Sequence, residues 1–393
     1  MITRSKKTKI VKNLQEENKF DELPQDLVIE IFRRLPLKTV GRCLTLSKSW
    51  ATTIRSRSFF TSFPSQPCTL IAFARPLYIA NRKEVLLRFF LSSSSSSTSS
   101  FLSRFRTCPS LCPPDNLAYY YNHANGLISI GYGREHIVAN PSTGSLISLP
   151  RVKTRGTGRV VKSFFGYDPV SDLYKVLAMT ERVYGHQQDP SSQHQVFTLG
   201  GKKRWKMLDC SIPDHRPWSN GVCIDGVVYY VAKTGQGMSQ LSIMRFELRA
   251  DSLNLLTSLP EEIQTPSLYS DTLMNYKGKL AIATEITAFT FDVWVMNLDG
   301  EKHEPLKKIT FGIKLKQRLR VRGTTHTGEF IFAPRRYYGF YVTYYNPDKN
   351  SIKEIKIDVS ADCDEFKSRF ISAIVFPDYL ESFRLLSERQ FMI

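Results

Sequence analysis

A repeated turn constrains this chain more than any other feature. Gly226, Gly278 and Gly328 each sit just before an apolar run, Val227–Tyr230, Lys279–Ile282 and Glu329–Phe332, and are spaced 52 and 50 residues apart. Gly126, ahead of Leu127-Ile128, lies 100 residues before Gly226, two periods of the same length. Downstream of each glycine come a strand-like segment, a polar turn and another strand. Phe246–Asp251, Val295–Gly300 and Tyr345–Asn350 are instances, and Val138–Gly144 and Tyr167–Asp172 have the same form. Such turn chemistry reverses a strand. A unit of about 50 residues with about four strands marks a propeller blade. Counting 68–124, 125–160, 161–222, 223–270, 271–322 and 323–360 predicts a mainly β body of about six blades. The last strand, near Phe370–Phe376, is expected to close the ring against the first blade. That would bury Ile371, Ile374, Val375 and Phe376.

The first 63 residues read differently. Residues 1–20 carry six basic and two acidic groups and little apolar content, which predicts a flexible basic tail. From Leu23-Pro24 a helical period begins. Pro24 suits a first helical position, where its missing N–H costs nothing. Leu27, Val28, Ile31, Phe32 and Leu35 follow at helical spacing, and Pro36 stops the run. Val40, Cys43, Leu44 and Leu46 suggest a second helix, and Trp50, Ile54 and Phe59 a third. Three helices in residues 21–63 make too small a core to stand comfortably alone, so this head needs a partner or a packed neighbour. The body is expected over 64–393. Ser92–Ser100, nine consecutive Ser/Thr residues, reads as a flexible surface loop within it.

Composition excludes several classes. No run approaches the ~18 apolar residues a membrane helix needs, and no signal-like stretch follows the N-terminus, so a location inside the cell, nucleus or cytoplasm, is expected. The seven cysteines, scattered from Cys43 to Cys363, do not form a disulfide framework. Cys108, Cys112 and His123 lack a fourth ligand and a second close pair for zinc, so free thiols and no metal are expected. The net charge of +18 is spread along the chain rather than gathered in one stripe, which argues against nucleic acid as the partner. Phosphate-loop, HExxH and GxSxG motifs are absent, and Gly131-Tyr132-Gly133 reads as turn chemistry. Neither catalysis nor a cofactor is expected.

Leu23–Lys38, with its LPQD opening and RLPLK centre, together with Val40–Leu44, Ser47–Trp50, Ile54 and Phe59, resembles an F-box. Phe165–Pro169 with Tyr174–Leu177, Trp205-Lys206, Gly221–Tyr230, Asn275–Leu280, Phe291–Met296 and Tyr344–Pro347 resemble the plant F-box-associated interaction domain. The resemblance implies a substrate-receptor subunit of an SCF-type ubiquitin ligase. Such a subunit docks on a Skp-type adaptor, joins cullin and RING subunits through it, and recruits a protein target without doing chemistry itself. It implies adaptor contacts at Leu23, Pro24, Asp26, Leu27, Ile31, Leu35, Pro36, Leu37, Val40 and Trp50. The other reading of the same body is a propeller that binds a glycan, a small ligand or nucleic acid.

One row of charge stands out in the body. In Lys314–Arg322 the cations Lys314, Lys316, Arg318, Arg320 and Arg322 occupy every even position, while Leu315, Leu319 and Val321 fall on odd ones. Read as one strand, this puts the cations on one face and apolar groups on the other. An outer solvated strand is one reading; a grip for an acidic or phosphorylated substrate segment, extended by Arg335 and Arg336, is the other.

Overall fold

A computed structural model describes residues 23–35, 37–44, 46–54, 56, 59, 66–79, 82–107, 120–154, 159–181, 183–184, 187–188, 193–208, 212, 214–263, 272–287, 289–298, 305–315, 319–334, 340–357 and 372–384. The basic tail, Cys108, Cys112, Phe370 and Ile371 lie outside these residues.

Among the described residues, six antiparallel sheets form the blades of the body, and a seventh, two-stranded sheet pairs Val183–Tyr184 with Gln187–Gln188. Blade 1 is Cys68–Ile79, Arg82–Ser92 and Ser100–Thr107, with Ser372–Tyr379 added on its inner side. Blade 2 runs Tyr120–Ala124, Leu127–Tyr132, Glu135–Asn140, Ser145–Ser148. Blade 3 runs Arg159–Asp168, Leu173–Glu181, Gln193–Thr198, Lys206–Met207. In blade 4 the short strands Arg216–Pro217 and Val222–Ile224 share the inner place beside Val227–Thr234, followed by Gln240–Glu247 and Ser252–Ser258. Blade 5 is Thr272–Tyr276, Lys279–Thr287, Thr290–Met296, Pro305–Gly312. Blade 6 is Arg320–Thr324, Phe330–Ala333, Tyr341–Asn346, Ser351–Lys356.

Six apolar clusters fill the six interfaces between neighbouring blades. A strand sandwiched this way is buried on both faces, so Leu173–Glu181 is buried at every position after the first. Alternation is therefore weak along such strands, and the turns carry the sequence signal. Side chains also tie the inner strands to one another. Asn122 Nδ2 donates to the Ser163 carbonyl at 3.1 Å, and Thr272 Oγ1 to the Val321 carbonyl at 2.9 Å.

The predicted blade count holds, and the windows opening at 161, 271 and 323 begin within three residues of an observed blade, whereas those opening at 125 and 223 cut off the inner strands Tyr120–Ala124 and Arg216–Pro217. Gly126, Gly226, Gly278 and Gly328 do not divide blades; they sit in the turn between the first and second strand of blades 2, 4, 5 and 6. Asn125-Gly126, Asp225-Gly226 and Lys277-Gly278 have φ of 40/80, 47/80 and 51/82°, the paired positive values of a two-residue type I′ hairpin. Blade 3 makes this turn without glycine. Asp172 takes φ 53°, and Asp168 Oδ1 accepts from Val170 N at 3.1 Å. Tyr167–Asp172 thus joins first to second strand, whereas Val138–Gly144, Phe246–Asp251 and Tyr345–Asn350 join third to fourth.

Closure by the C-terminal strand is as expected: Ile71 pairs with Val375 and Ala72 with Ile374, and Phe376 is 3% exposed. Ile374 and Val375 are only partly buried. The serine tract is less free than its composition suggests. Ser92 ends one strand, Ser100 starts the next, and the intervening turn is held by hydroxyl-to-backbone bonds within 93–98. Lys353 Nζ donates to the Ser94 carbonyl at 2.6 Å, and Tyr344 OH to Ser92 Oγ at 3.1 Å, which fastens the turn to blade 6.

The head holds α1 (Gln25–Arg34), α2 (Leu37–Cys43) and α3 (Lys48–Ile54). Pro24 stands at the N-cap of α1 rather than inside it, and its carbonyl accepts from Leu27 N and Val28 N at 3.0 and 3.2 Å. Val28, Phe32, Val40, Cys43, Ile54 and Phe59 form the head's core, joined by Phe383 from the other end of the chain.

Candidate functional site: a docking helix and a polarised channel

Helix α1 is apolar over two adjacent rows. Val28 and Phe32, four residues apart, point inward, and Phe32 packs edge-on against Trp50 at 5.4 Å. Leu27 and Ile31, also four apart, point outward and remain 53% and 43% exposed. One row thus builds the core, and the other has no cover among the described residues. The sequence places Leu23, Leu27, Ile31 and Leu35 on one face; the fold divides them. Leu23 and Leu35 are partly buried against the head's core. Pro24 and Asp26 are exposed beside Leu27. Val40 has no exposed surface, so it belongs to the core and not to a contact surface, because α2 packs it beneath α1 and α3. Trp50 is half-buried and, with Leu23, Gln25 and Thr53, lines a cleft of about 350 Å³ between the start of α1 and α3. Leu37 begins α2. Pro36 lies outside the described residues.

The second feature is the channel on the propeller axis, a cavity of about 630 Å³ to which inner strands or turns of all six blades contribute. Its two ends differ in charge. The carboxylates among its lining residues, Asp225 and Asp378, sit in or beside the tight turns at the end where the head attaches. Burial raises the Asp378 carboxyl, opposed by a bond from His326 N at 2.6 Å. The far end has Tyr121, Asn220, Thr272 and the cation Arg322, whose Nη2 donates to the Pro334 carbonyl at 3.0 Å. Lys162 in blade 3, the blade opposite Arg322 in a ring of six, donates to Asn220 Oδ1 at 3.0 Å, and burial pushes it down to about 8.

Two titratable side chains of the channel are held neutral. Burial pushes His123 down to about 4, against a backbone bond at Pro377 that favours the charged form. Burial pushes the Cys223 thiol up to about 11. A protonated, buried thiol is a poor nucleophile. Among the described residues no group of three His, Cys, Asp or Glu could hold a metal ion.

The basic row is redistributed. Lys314 follows the outer strand of blade 5, whereas Arg320 and Arg322 belong to the inner strand of blade 6. It is a crossover between blades and not one outer strand, because Gly312 ends the first strand before the row begins. The burial alternation survives: Leu315, Leu319 and Val321 are at most 9% exposed, while Lys314 is exposed and Arg320 and Arg322 are intermediate. Lys316, Arg318, Arg335 and Arg336 lie outside the described residues. The crossover into blade 3 is basic as well. There Lys153 is exposed, Arg151 meets Glu135 at 2.5 Å and Arg159 meets Glu181 at 2.6 Å.

Sequence reasoning missed the channel, since each inner strand contributes only a few residues to it, about 50 apart. It also missed Phe383, which no local pattern marks.

Comparison with known proteins agrees with both halves. The F-box domain matches residues 20–62, and the F-box associated beta propeller domain matches residues 75–380. The chain belongs to the F-box protein family. "Putative F-box protein At1g26515" of Arabidopsis thaliana is 66% identical over 367 residues, covering 88% of this chain and 99% of that one. "F-box protein At4g11590" of the same plant is 46% identical over 405 residues, covering 97% and 98%. An F-box joined to such a propeller is the make-up of an SCF substrate receptor, an adaptor subunit in general terms.

Proposed function

We propose that this F-box protein brings a specific protein target to an SCF-type ligase for ubiquitination, with α1 as the adaptor contact and the propeller end remote from the head as the target contact. The observation that carries the first half is the exposed Leu27/Ile31 row on a helix whose other row already fills the core. Unpartnered apolar rows of this kind mark contact surfaces. Its contribution to ubiquitination is proximity, raising the local concentration of target lysines near the charged E2. That role needs no nucleophile of its own, and it places the protein in the nucleus or cytoplasm beside its adaptor.

The target contact is supported by charge. Arg322 lines the channel, Arg320 stands two residues before it on the same inner strand and Lys314 lies in the crossover leading to that strand, all towards the end remote from the head, where the crossover into blade 3 is basic as well. Arginines there suit a carboxylate- or phosphate-bearing segment, which they grip through paired N–H groups. Co-purification with a Skp-type adaptor tests the first half. For the second, a fluorescent Glu-rich peptide and its Gln-rich counterpart are titrated against the full chain and a Lys314→Glu/Arg320→Glu variant. Preference for the acidic peptide, lost in the variant while adaptor binding persists, is the expected result. Equal binding of both peptides refutes the acidic-segment reading.

A further inference from the structure

The head's core is completed by a residue more than 300 positions away. Phe383 is 3% exposed, its ring lies 5.6 Å from that of Phe59, and Phe59 in turn lies 6.1 Å from Phe32. Phe383 follows Tyr379, the last residue of the ring-closing strand, by four positions.

The short segment between them is gripped on both sides. Asn140 has no exposed surface, and its Nδ2 donates to the carbonyls of Ser382 and Arg384, both at 2.8 Å. These two carbonyls flank Phe383. The Asn140 side chain is itself held by its turn, Oδ1 accepting from Ser142 N at 2.9 Å. Tyr379 OH meets Ser142 Oγ at 3.0 Å, Arg384 meets Asp172 at 2.5 Å, and the Arg384 guanidinium lies 5.0 Å from the centre of the Tyr174 ring. A Cβ at Gly126 would come within 2.2 Å of Ser382 Cβ, so the segment also runs tight against the first turn of blade 2. The strap is thus anchored on blades 2 and 3, and its aromatic side chain, Phe383, is spent on the head.

We propose that this C-terminal strap couples ring closure to the adaptor-docking head: α1 is held in its docking form only after the last strand has closed blade 1 and delivered Phe383. The proposal rests on the reading of α1 as the adaptor contact. Helices of ten, seven and seven residues are marginal without tertiary support. Removing one of seven buried core members from so small a cluster removes a large share of that support. A chain that is truncated, or whose ring is open, presents an incomplete head, so an unfinished receptor is kept off the ligase. The same anchors fix the orientation of the head against the propeller.

The test uses the full chain with Phe383→Ala, Phe383→Leu and Asn140→Ala. Hydrogen exchange is followed separately in α1–α3 and in the propeller strands, and affinity for a Skp-type adaptor is measured alongside. For Phe383→Ala, exchange in α1–α3 is expected to speed by roughly 100-fold or more, while the strands of blades 3 to 6 keep their protection. Adaptor affinity falls with it, and Phe383→Leu recovers most of both. Asn140→Ala, which leaves the ring of Phe383 in place but frees its flanking carbonyls, gives a smaller change of the same pattern and serves if Phe383→Ala does not fold. Unchanged exchange in α1–α3, or equal loss of protection in head and propeller, overturns the coupling. If the head responds as expected but the parent chain does not bind the adaptor, the adaptor reading fails and the coupling stands.

Discussion

Replacing both Leu27 and Ile31 with alanine separates docking from folding. Full burial of a Leu or Ile side chain is worth about 1.5–3 kcal/mol. These two are 53% and 43% exposed, so about half of that remains to be gained when a partner covers them. Together the expected loss is about 2 kcal/mol of binding free energy, roughly a 30-fold weaker dissociation constant. Folding should barely change, since neither side chain sits in the core and alanine is a good helix former. Isothermal titration of a Skp-type adaptor into parent and double variant reads the first quantity, and thermal unfolding reads the second. Phe32→Ala is the contrasting control. Phe32 is 2% exposed and its ring packs against Trp50 and Phe59, so its loss costs about 3–5 kcal/mol of head stability. A double-variant dissociation constant within twofold of the parent would refute the outward row as the docking surface. A marked drop in melting temperature would show instead that the row is structural.

Three further outcomes follow from particular side chains. Gly41 lies inside α2, and a Cβ added there would meet nothing within 4 Å, so Gly41→Ala should stabilise the head by about 0.5–1 kcal/mol, read as slower exchange in α2. Gly226 has φ 80° and a Cβ there would lie 3.2 Å from Asp168 Oδ1, so Gly226→Ala should cost about 1–2 kcal/mol and lower the melting temperature by several degrees; an unchanged melting temperature would contradict the turn assignment. Burial pushes His123, His136 and His194 down to about 4 from the ordinary 6.5, so the unfolded chain binds more protons than the folded one between these values and stability should fall as pH drops from about 6.5 towards 4. Asp378 and Glu381, whose carboxyls burial raises, act in the opposite sense at the acid end of this range. Equal melting temperatures at pH 7.5 and pH 5 would show that these imidazoles are not held neutral in the fold.

What was legible in the sequence follows from where backbone geometry restricts residue choice. Two-residue hairpins need positive φ at both positions, which is why Asn125-Gly126, Asp225-Gly226 and Lys277-Gly278 stand out and give the period. The starts of blades 2 and 4 were not legible, because a turn inside a blade uses the same residue types as a turn between blades. Blade 3 escapes the period because Asp172 takes the left-handed conformation and the Asp168 carboxylate caps the turn, a pattern glycine counting cannot find. In α1 the apolar positions were legible, but not their division into an inward and an outward row. That depends on α2 and α3 and on Phe383, supplied from the far end of the chain. The alternation in Lys314–Arg322 correctly gave buried odd positions, yet periodicity does not show that the chain changes blades within it.

The parity of the blades explains why the two proposed contacts fall at opposite ends. In a four-stranded antiparallel blade the first-to-second and third-to-fourth turns share one end, and the second-to-third turn and the crossover to the next blade share the other. The first-to-second turns here hold two to five residues, whereas the crossovers hold seven to fifteen. The longest segments therefore accumulate at one end, the usual place for recognition. The chain does not enter the ring at an inner strand. It enters at Cys68, the start of a second strand, and the inner place of blade 1 is filled last by Ser372–Tyr379. Cys68 pairs with Tyr379, so the head leaves, and the strap arrives, among the short turns. Had the ring begun with the inner strand of its first blade, the head would emerge among the crossovers and crowd the surface proposed for the target. The one-strand offset at closure thus closes the sheet edge, brings Phe383 to the head, and leaves the Arg322 end of the channel facing away from the head.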